Sequence, residues 1–562
     1  MRSVIALLAL FEFTALMPAM VVAQNQPNQI RLVVGVVVDQ MQFDQLHKYR
    51  DRYGEDGLNL LLNDGFEFQN TNYNYIPTVT AAGHASIYTG TTPSTHGIID
   101  NLWYDRELKS LKENVSDPSS LLIGSEESGK PGRSPAQLQA PTLGDAMKEA
   151  NPASKVISVS FKDRGAILPG GKQADAAYWQ DWKTSPGYFV SSSYYMSDLP
   201  EWVSRFNRRG YADRYLDRVW ETLYPLNTYN LSAPDDNDWE RILGGKDAPV
   251  FPYRFPDMRS IYKERGSEFQ LLWVSPYGNT LLTDFVLEAI SQEKLGKDEH
   301  PDLLAVSYSV TDVAGHTFGP QSVEIEDIFL RLDQEIARLI DHLNMEIGSD
   351  NYLLFLTSDH GVNHVPGYLR SIGKPTGVVN LNQLRATVER ALSKKYGSRR
   401  WVEHFSDFQM YLDNQLIEEV GLNPDEIRVE VAQILRNHPD VVHAYTSNEL
   451  SGDSPLDDMG QKLRNGFNPD RSGDVLLVFP EGFAIGEGGI RRVRQVRGAA
   501  HGSGYAYDSH VPLIFFGGSI PTGKSMDPTS PVDIVPTMLD LLDLEKTDTL
   551  SGRSLKDLIS GN

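Results

Sequence analysis

The run from Leu32 to Val38 (LVVGVVV) is apolar throughout, β-branched at most positions, and leads directly into Asp39. An apolar run of strand length with no polar alternation is buried on both faces, as in a parallel strand inside an α/β sheet. The same pattern recurs along the chain. Lys155–Phe161 ends at Lys162, Leu303–Val310 stops just before Asp312, and Tyr352–Leu356 leads into Asp359 and His360. A further run, Val511–Phe516, is closed by Gly517 and Gly518. Between the runs lie helical patterns. Val323, Ile325, Ile328, Phe329, Leu332, Ile336, Leu339, Ile340 and Leu343 recur near a 3.6-residue period, and Val532–Leu544 forms a shorter candidate with Pro536 early in it. Strands alternating with helices predict a doubly wound α/β/α sandwich. In such sheets, sites form beyond the carboxyl ends of the strands, where these Asp and His residues fall.

Two stretches break the alternation. About residues 165–300 are rich in Trp, Tyr, Pro and Asp, and are expected to form an inserted cap or long decorated loops. About residues 400–480 hold a charged helical pattern (Pro424–Asn437) and a loop rich in Ser, Gly and Asp, which are expected to form a second lobe. The expected organisation is one catalytic domain over residues 24–562 carrying both insertions, preceded by a signal peptide at residues 1–23. Arg2, the apolar stretch from Val4 to Val22 and the small-residue end Val21-Val22-Ala23 carry that signal, with Glu12 as the one interruption. The stretch is short for a spanning helix and no second one follows, so a periplasmic or secreted protein without a transmembrane anchor is expected.

A formal net charge of −23 argues against nucleic acid as a partner, although a local positive pocket is compatible with it. The absence of cysteine excludes disulfides, thiolate metal sites and a cysteine nucleophile. What remains at the strand ends is carboxylate and imidazole: Asp39, Asp312, His316, Asp359, His360, and a late His501 in Gly-Ala-Ala-His-Gly-Ser-Gly. Taken singly, such residues are turn formers, helix caps or core histidines; together they suit a catalytic divalent metal site. Thr80 opens a helical segment whose N-terminal amides favour an anion. Thr78 competes with it for a nucleophilic role on residue type alone.

The segment Asn74–Gly90 (NYIPTVTAAGHASIYTG) resembles the nucleophile segment of the alkaline phosphatase superfamily. Thr311–Gly319 (TDVAGHTFG) resembles its metal loop, and Thr357–Gly361 (TSDHG) its second. The likeness runs from about residue 31 to the C-terminus, and within the superfamily is greatest to the bacterial phosphate-irrepressible, Flavobacterium-type enzymes. It implies an alkaline phosphatase-like fold, Thr80 as the covalent nucleophile, and two zinc ions. Asp312, His316 and His501 would hold one; Asp39, Asp359, His360 and the Thr80 oxygen would hold the other. Three aspartates and a threonine alkoxide carry four negative charges, which two divalent ions cancel. A third, magnesium site, known from the better-studied bacterial enzymes with a serine nucleophile, has no basis in this sequence.

Substrate class turns on Asp100-Asn101 and Ser160–Arg164. Read as extended chain, the latter puts Lys162 and Arg164 on one side, two cations for the two charges of a phosphate monoester. The resemblance assigns phosphoryl contacts to Asn101, Lys162 and Arg164. The expectation is therefore a monomeric phosphomonoesterase of broad specificity acting through a phosphothreonine. The alternatives are a nucleotide pyrophosphatase/phosphodiesterase, a sulfatase (disfavoured by Thr80-Ala81-Ala82) and a silent zinc- and phosphate-binding protein. His84 is a candidate buttress of the nucleophile helix, whereas His96, His364 and His510 receive no role.

Overall fold

The computed structural model describes residues 30–125, 129–181, 187–486 and 492–561; the expected signal peptide lies outside them. Its centre is an eleven-stranded sheet. In chain order the strands are β1 (Leu32–Val38), β2 (Phe66–Phe68), β3 (Ser116–Ile123), β4 (Pro131–Arg133), β5 (Val156–Ser160) and β6 (Ala176–Gln180). They continue as β7 (Phe189–Ser192), β8 (Asp302–Tyr308), β9 (Tyr352–Thr357), β10 (Leu513–Phe516) and β11 (Gly523–Ser525). Their order across the sheet is β11-β2-β10-β9-β1-β8-β5-β6-β7-β3-β4. The middle strands β9, β1, β8, β5 and β6 are mutually parallel, while β10 and β7 join them antiparallel. Thr357, Val37, Ser307 and Ser160 form one row across four neighbouring strands. The chain therefore leaves β9, β1, β8 and β5 at one level, on one edge of the sheet.

The alternation of side chains along each strand builds two cores, one per face. Val34, Val36, Val38, Leu304, Val306 and Leu354 pack with helices α3 (Pro276–Glu293) and α5 (Val323–Glu346). Val33, Val37, Leu303, Ala305 and Phe355 pack with α1 (Thr80–Thr89) and α6 (Ile534–Leu541) on the other face. Each fully buried Val, Leu or Phe contributes about 1.5–3 kcal/mol, so a sheet covered on both sides is held mainly by this burial. The doubly wound α/β/α sandwich expected from the apolar runs is the architecture found. Two further short helices carry site residues: α2 (Asp163–Gly170) follows β5, and α4 (Val310–Phe318) follows β8.

The stretch of about residues 165–300 is not the separate cap that its composition suggests. It adds β6 and β7 to the central sheet, and its aromatic side chains join the core on the α3/α5 face. Phe189 on β7 stacks on Phe285 of α3 with ring centroids 4.0 Å apart. Trp202, Tyr215, Trp220, Tyr253 and Tyr277 of this stretch are interior packing. The region of about 400–480 does build its own four-stranded antiparallel sheet (Val402–Ser406, Gln409–Leu412, Val475–Val478 and His443–Thr446, in that order). With helices Leu381–Tyr396 and Pro424–Arg436 it encloses a second core around Trp401, Met410, Val431 and Leu476.

One glycine in β1 is dictated by this packing. A Cβ on Gly35 would lie 2.3 Å from the Tyr88 hydroxyl and 2.5 Å from the Phe355 ring. Gly35 thus lets helix α1, which opens at Thr80, lie flat on the sheet. Gly35→Ala is expected to lower unfolding stability by about 1–3 kcal/mol through overpacking, measured by urea denaturation; an unchanged midpoint would mean α1 packs elsewhere.

Candidate functional site

Four adjacent parallel strands deliver the site. Asp39 follows β1, Asp359 and His360 follow β9, and Lys162 follows β5 by two residues. Beyond β8, helix α4 carries Asp312 and His316 one turn apart on the same face. Asp39, Asp312, Asp359, Lys162 and His360 are all at most 3% exposed. His501 arrives from a loop next to α4, which is pinned there by a hydrogen bond from the Ala499 amide to the Gly315 carbonyl.

The histidines are oriented by the backbone. The Nδ1 atoms of His316, His360 and His501 lie 2.8, 2.9 and 2.9 Å from the carbonyls of Ala499, Gly361 and Thr78. A carbonyl only accepts, so each Nδ1 carries a proton, and in the neutral imidazole Nε2 is the nitrogen left to bind a metal. Those Nε2 atoms face carboxylates. His316 and His501 lie 3.2 and 3.5 Å from Asp312 Oδ1, and His360 lies 3.5 Å from both Asp39 Oδ1 and Asp359 Oδ2. Two sets of donor atoms are close enough to share an ion: Asp312, His316 and His501, and Asp39, Asp312 and His360. Asp359 adjoins the second through His360.

These donors fit metal. Asp39 Oδ1 and Asp359 Oδ2 are buried without a hydrogen-bond partner, a costly state for carboxylate oxygen unless a cation is nearby. Burial and the neighbouring Asp359 push the Asp39 carboxyl well above its ordinary range. Burial pushes Asp312 the same way, but Lys162 and His316 outweigh it and hold Asp312 well below that range. Burial lowers His360 to about 3, so its imidazole is neutral, the form that binds metal. Lys162 Nζ lies 2.6 Å from Asp39 Oδ2 and 2.5 Å from Asp312 Oδ2, one positive charge against three carboxylates. The donor set is thus short of positive charge.

Thr80 is the first residue of α1, with Val79 at the cap position. Its hydroxyl lies 3.4 Å from both His360 Nε2 and Lys162 Nζ. Thr78, the competitor by residue type, donates its hydroxyl to the Ser503 carbonyl. Asn101 Oδ1 accepts from the Ala81 amide at 3.0 Å, which sets its side chain against the start of α1.

The Ser160–Arg164 segment is extended only as far as Lys162. Lys162 caps α2 and Arg164 lies in its first turn, because Ala166, Ile167 and Leu168 bury against Ala81 and Ala85 of α1. The two cations therefore do not share a strand face. They line one cavity together with Trp179 and Trp273, and the Arg164 Nε is buried there without a partner.

Residues 33–503 match the family model described as type I phosphodiesterase / nucleotide pyrophosphatase. The chain belongs to that family. Within it, the chain is similar to a protein named calcium-transporting ATPase from Myroides odoratus, 38% identical over 96% of each chain. It is 36% identical, over 95% of each chain, to alkaline phosphatase PafA from Elizabethkingia meningoseptica. The crystal structure of wild-type alkaline phosphatase PafA superposes with a TM-score of 0.87 at 35% identity, covering 95% of this chain and all of that one. The alkaline phosphatase-like fold and superfamily implied by the three motifs are those of these relatives.

One member of the site, Gln40, has no signal of its own in the sequence. Gln40 adopts a left-handed backbone (φ 67°), from which its amide reaches Asp359 Oδ1 at 3.1 Å and its side chain donates to Asp312 Oδ1 at 2.7 Å. A Cβ on Gly315 would lie 1.8 Å from Gln40 Oε1, so glycine there makes room for it. His84 holds the Thr80 carbonyl at 2.9 Å and Ser307 at 2.8 Å, and its Nδ1 is 3.2 Å from Asp359 Oδ2. His84 thus contacts both the first turn of α1 and the Asp359 loop. His96 is a neutral core histidine, lowered to about 3 by burial, that bonds Ser86 and the Ile98 amide. His364 contacts Gln321, and His510 stacks on Phe43.

Gly83 sets the distance between helix and loop. A Cβ there would meet the Asp359 carbonyl at 2.1 Å and the Asp359 Cβ at 2.7 Å. Gly83→Ala must therefore push Asp359 away from α1. We expect the purified variant to fold but lose at least half of its bound metal by elemental analysis; full metal content would show that the Asp359 loop moves without consequence.

Proposed function

We propose that this protein is an exported phosphomonoesterase of broad specificity, with Thr80 as its covalent nucleophile. The observation that carries the reading is a buried hydroxyl at the start of a helix, flanked by Lys162 and by two carboxylate–imidazole donor sets. The phosphatase name of the Elizabethkingia relative supports it. The ATPase name of the Myroides relative also denotes P–O cleavage. Asp312, His316 and His501 would hold one zinc ion; Asp39, Asp359, His360 and the Thr80 oxygen would hold a second. Bound there, such ions supply Lewis-acid charge that lowers the pKa of a hydroxyl and stabilises oxygens at phosphorus.

The chain's own groups do the rest. Nε2-directed imidazoles and buried carboxylates are held by backbone contacts before substrate arrives, which removes the cost of arranging them during the reaction. Thr80 attacks phosphorus in line: its Oγ–P bond forms as the ester P–O bond breaks and the alcohol departs. Water then cleaves the phosphothreonine and releases inorganic phosphate. Lys162 and Arg164 supply positive charge to the phosphoryl oxygens, and the N-terminal amides of α1 favour the same anion. Asn101 contacts the phosphoryl group while fixing the first turn of α1.

The family model is named for diester and pyrophosphate cleavage, which makes a phosphodiesterase the second reading. Two cations at the phosphoryl position favour a dianionic monoester over a monoanionic diester. The zinc-loaded protein is expected to prefer an aryl phosphate monoester over its methyl diester by several orders of magnitude. In Arg164→Ala the ratio should shrink by about tenfold or more, in keeping with one charge-assisted contact. A diester preference unaffected by the substitution would move the protein to the phosphodiesterase branch. No described helix is long and apolar enough to cross a membrane. Export and a monomeric state are part of this proposal and rest on the signal-like N-terminus and the expectation from sequence.

A further inference from the structure

A cavity of about 260 Å³ opens from the His316 and His501 side of the site. Its inner end is formed by these two histidines and Asn101. Its aromatic lining comes from the lobe of about residues 400–480 and the strand just beyond it (Phe408, Phe479 and Phe483), and from Tyr505 shortly after His501. The two sides are joined. Phe408 lies against Gly502, the residue after His501, where a Cβ would come within 2.9 Å of its ring. Tyr505 donates its hydroxyl to the Phe479 carbonyl at 2.9 Å. Phe408 and Phe479 pack ring to ring at 5.6 Å.

The position of this wall fixes what meets it. Thr80 lies beside His360 and Lys162. With Thr80 assigned to the donor set of Asp39, Asp359 and His360, the departing oxygen of an in-line displacement would fall to the other set, Asp312, His316 and His501. The charged phosphoryl group stays with Lys162, whereas the group leaving with the alcohol oxygen enters the cavity. Aromatic walls recognise flat apolar groups through burial and ring packing. Asp407 also lines the cavity and no Lys or Arg is among its described lining residues, which disfavours a leaving group bearing phosphate of its own.

We infer that this cavity is a leaving-group subsite for uncharged aromatic alcohols, one wall of it supplied by the inserted lobe, so that an enzyme of broad specificity still favours monoesters by the ring it expels. The inference rests on the phosphomonoesterase reading and adds to it a substrate class and the residues that read it.

The test compares benzyl phosphate with methyl phosphate, whose alcohols differ in the ring but little in acidity. Second-order rate constants are measured for the zinc-loaded wild type, Phe483→Ala and Tyr505→Ala, with inorganic phosphate inhibition as a measure of the phosphoryl subsite. Wild type should favour benzyl phosphate by about tenfold or more. In each variant the benzyl-to-methyl ratio should fall by about five- to tenfold, the scale expected when part of an apolar contact is lost. Inhibition by phosphate should not follow that change. Equal losses for both esters, or an unchanged ratio, would overturn the subsite while leaving the phosphatase reading intact. Hydrolysis of neither ester by wild type would overturn the phosphatase reading, and the subsite with it.

Discussion

Three aspartates, Asp39, Asp312 and Asp359, are buried together at the ends of adjacent parallel strands, and the rest of the site follows from keeping them there. An ionised carboxylate removed from water costs several kcal/mol unless it is paired or hydrogen-bonded. The chain meets part of that cost itself. Lys162 reaches two of the three, Gln40 bonds Asp312 and Asp359 from a strained backbone, and His84 lies against Asp359. What these contacts leave over, including the unpartnered oxygens of Asp39 and Asp359, is a demand for positive charge. The three outer histidines, locked by backbone carbonyls with Nε2 inward, are shaped to hold the cations that meet it.

The same demand explains the tight packing around the cluster. Gly35 lets α1 lie on β1, Gly83 lets α1 touch the Asp359 loop, and Gly315 admits the Gln40 amide. Each removes a Cβ at a contact that brings a charged or nucleophilic group closer to the centre. The chain carries a net charge of −23, so an anionic substrate is drawn in only by local charge at the strand ends, where the protein is least tolerant of displacement. The lobe of about residues 400–480 stands apart from this economy. Its own core lets it vary independently of the sheet, which suits a region that reads the variable part of a substrate.

Much of this was legible in the sequence, for physical reasons. Parallel strands buried on both faces leave no polar alternation, so β1, β8 and β9 are visible as apolar runs, and their ends locate Asp39, Asp312, Asp359 and His360. The position of Thr80 at the start of a helix was legible too, whereas the segment of Asp312 and His316 read as a loop and is helix α4. Tertiary effects were not legible. Lys162 and Arg164 read as a strand continuing past Ser160; Gly165, Pro169 and Gly170 disguise a helix whose stability comes from burying Ala166, Ile167 and Leu168 against α1. Residues 165–300 read as a cap because aromatic content does not say which surface it will face. Gln40 gives no signal, since its role depends on a left-handed backbone and on residues more than 270 positions away.

The central claim is that Thr80 carries the phosphoryl group during turnover, and its most direct test is to trap that state. The zinc-loaded protein would be mixed with an aryl phosphate monoester, quenched in acid within milliseconds, digested and mapped by mass spectrometry. A phosphate on Thr80, appearing and decaying within the turnover time and absent from Thr78, is the predicted result. Rapid hydrolysis with no phosphorylated peptide at any quench time or pH, or with label on another residue, would contradict the account.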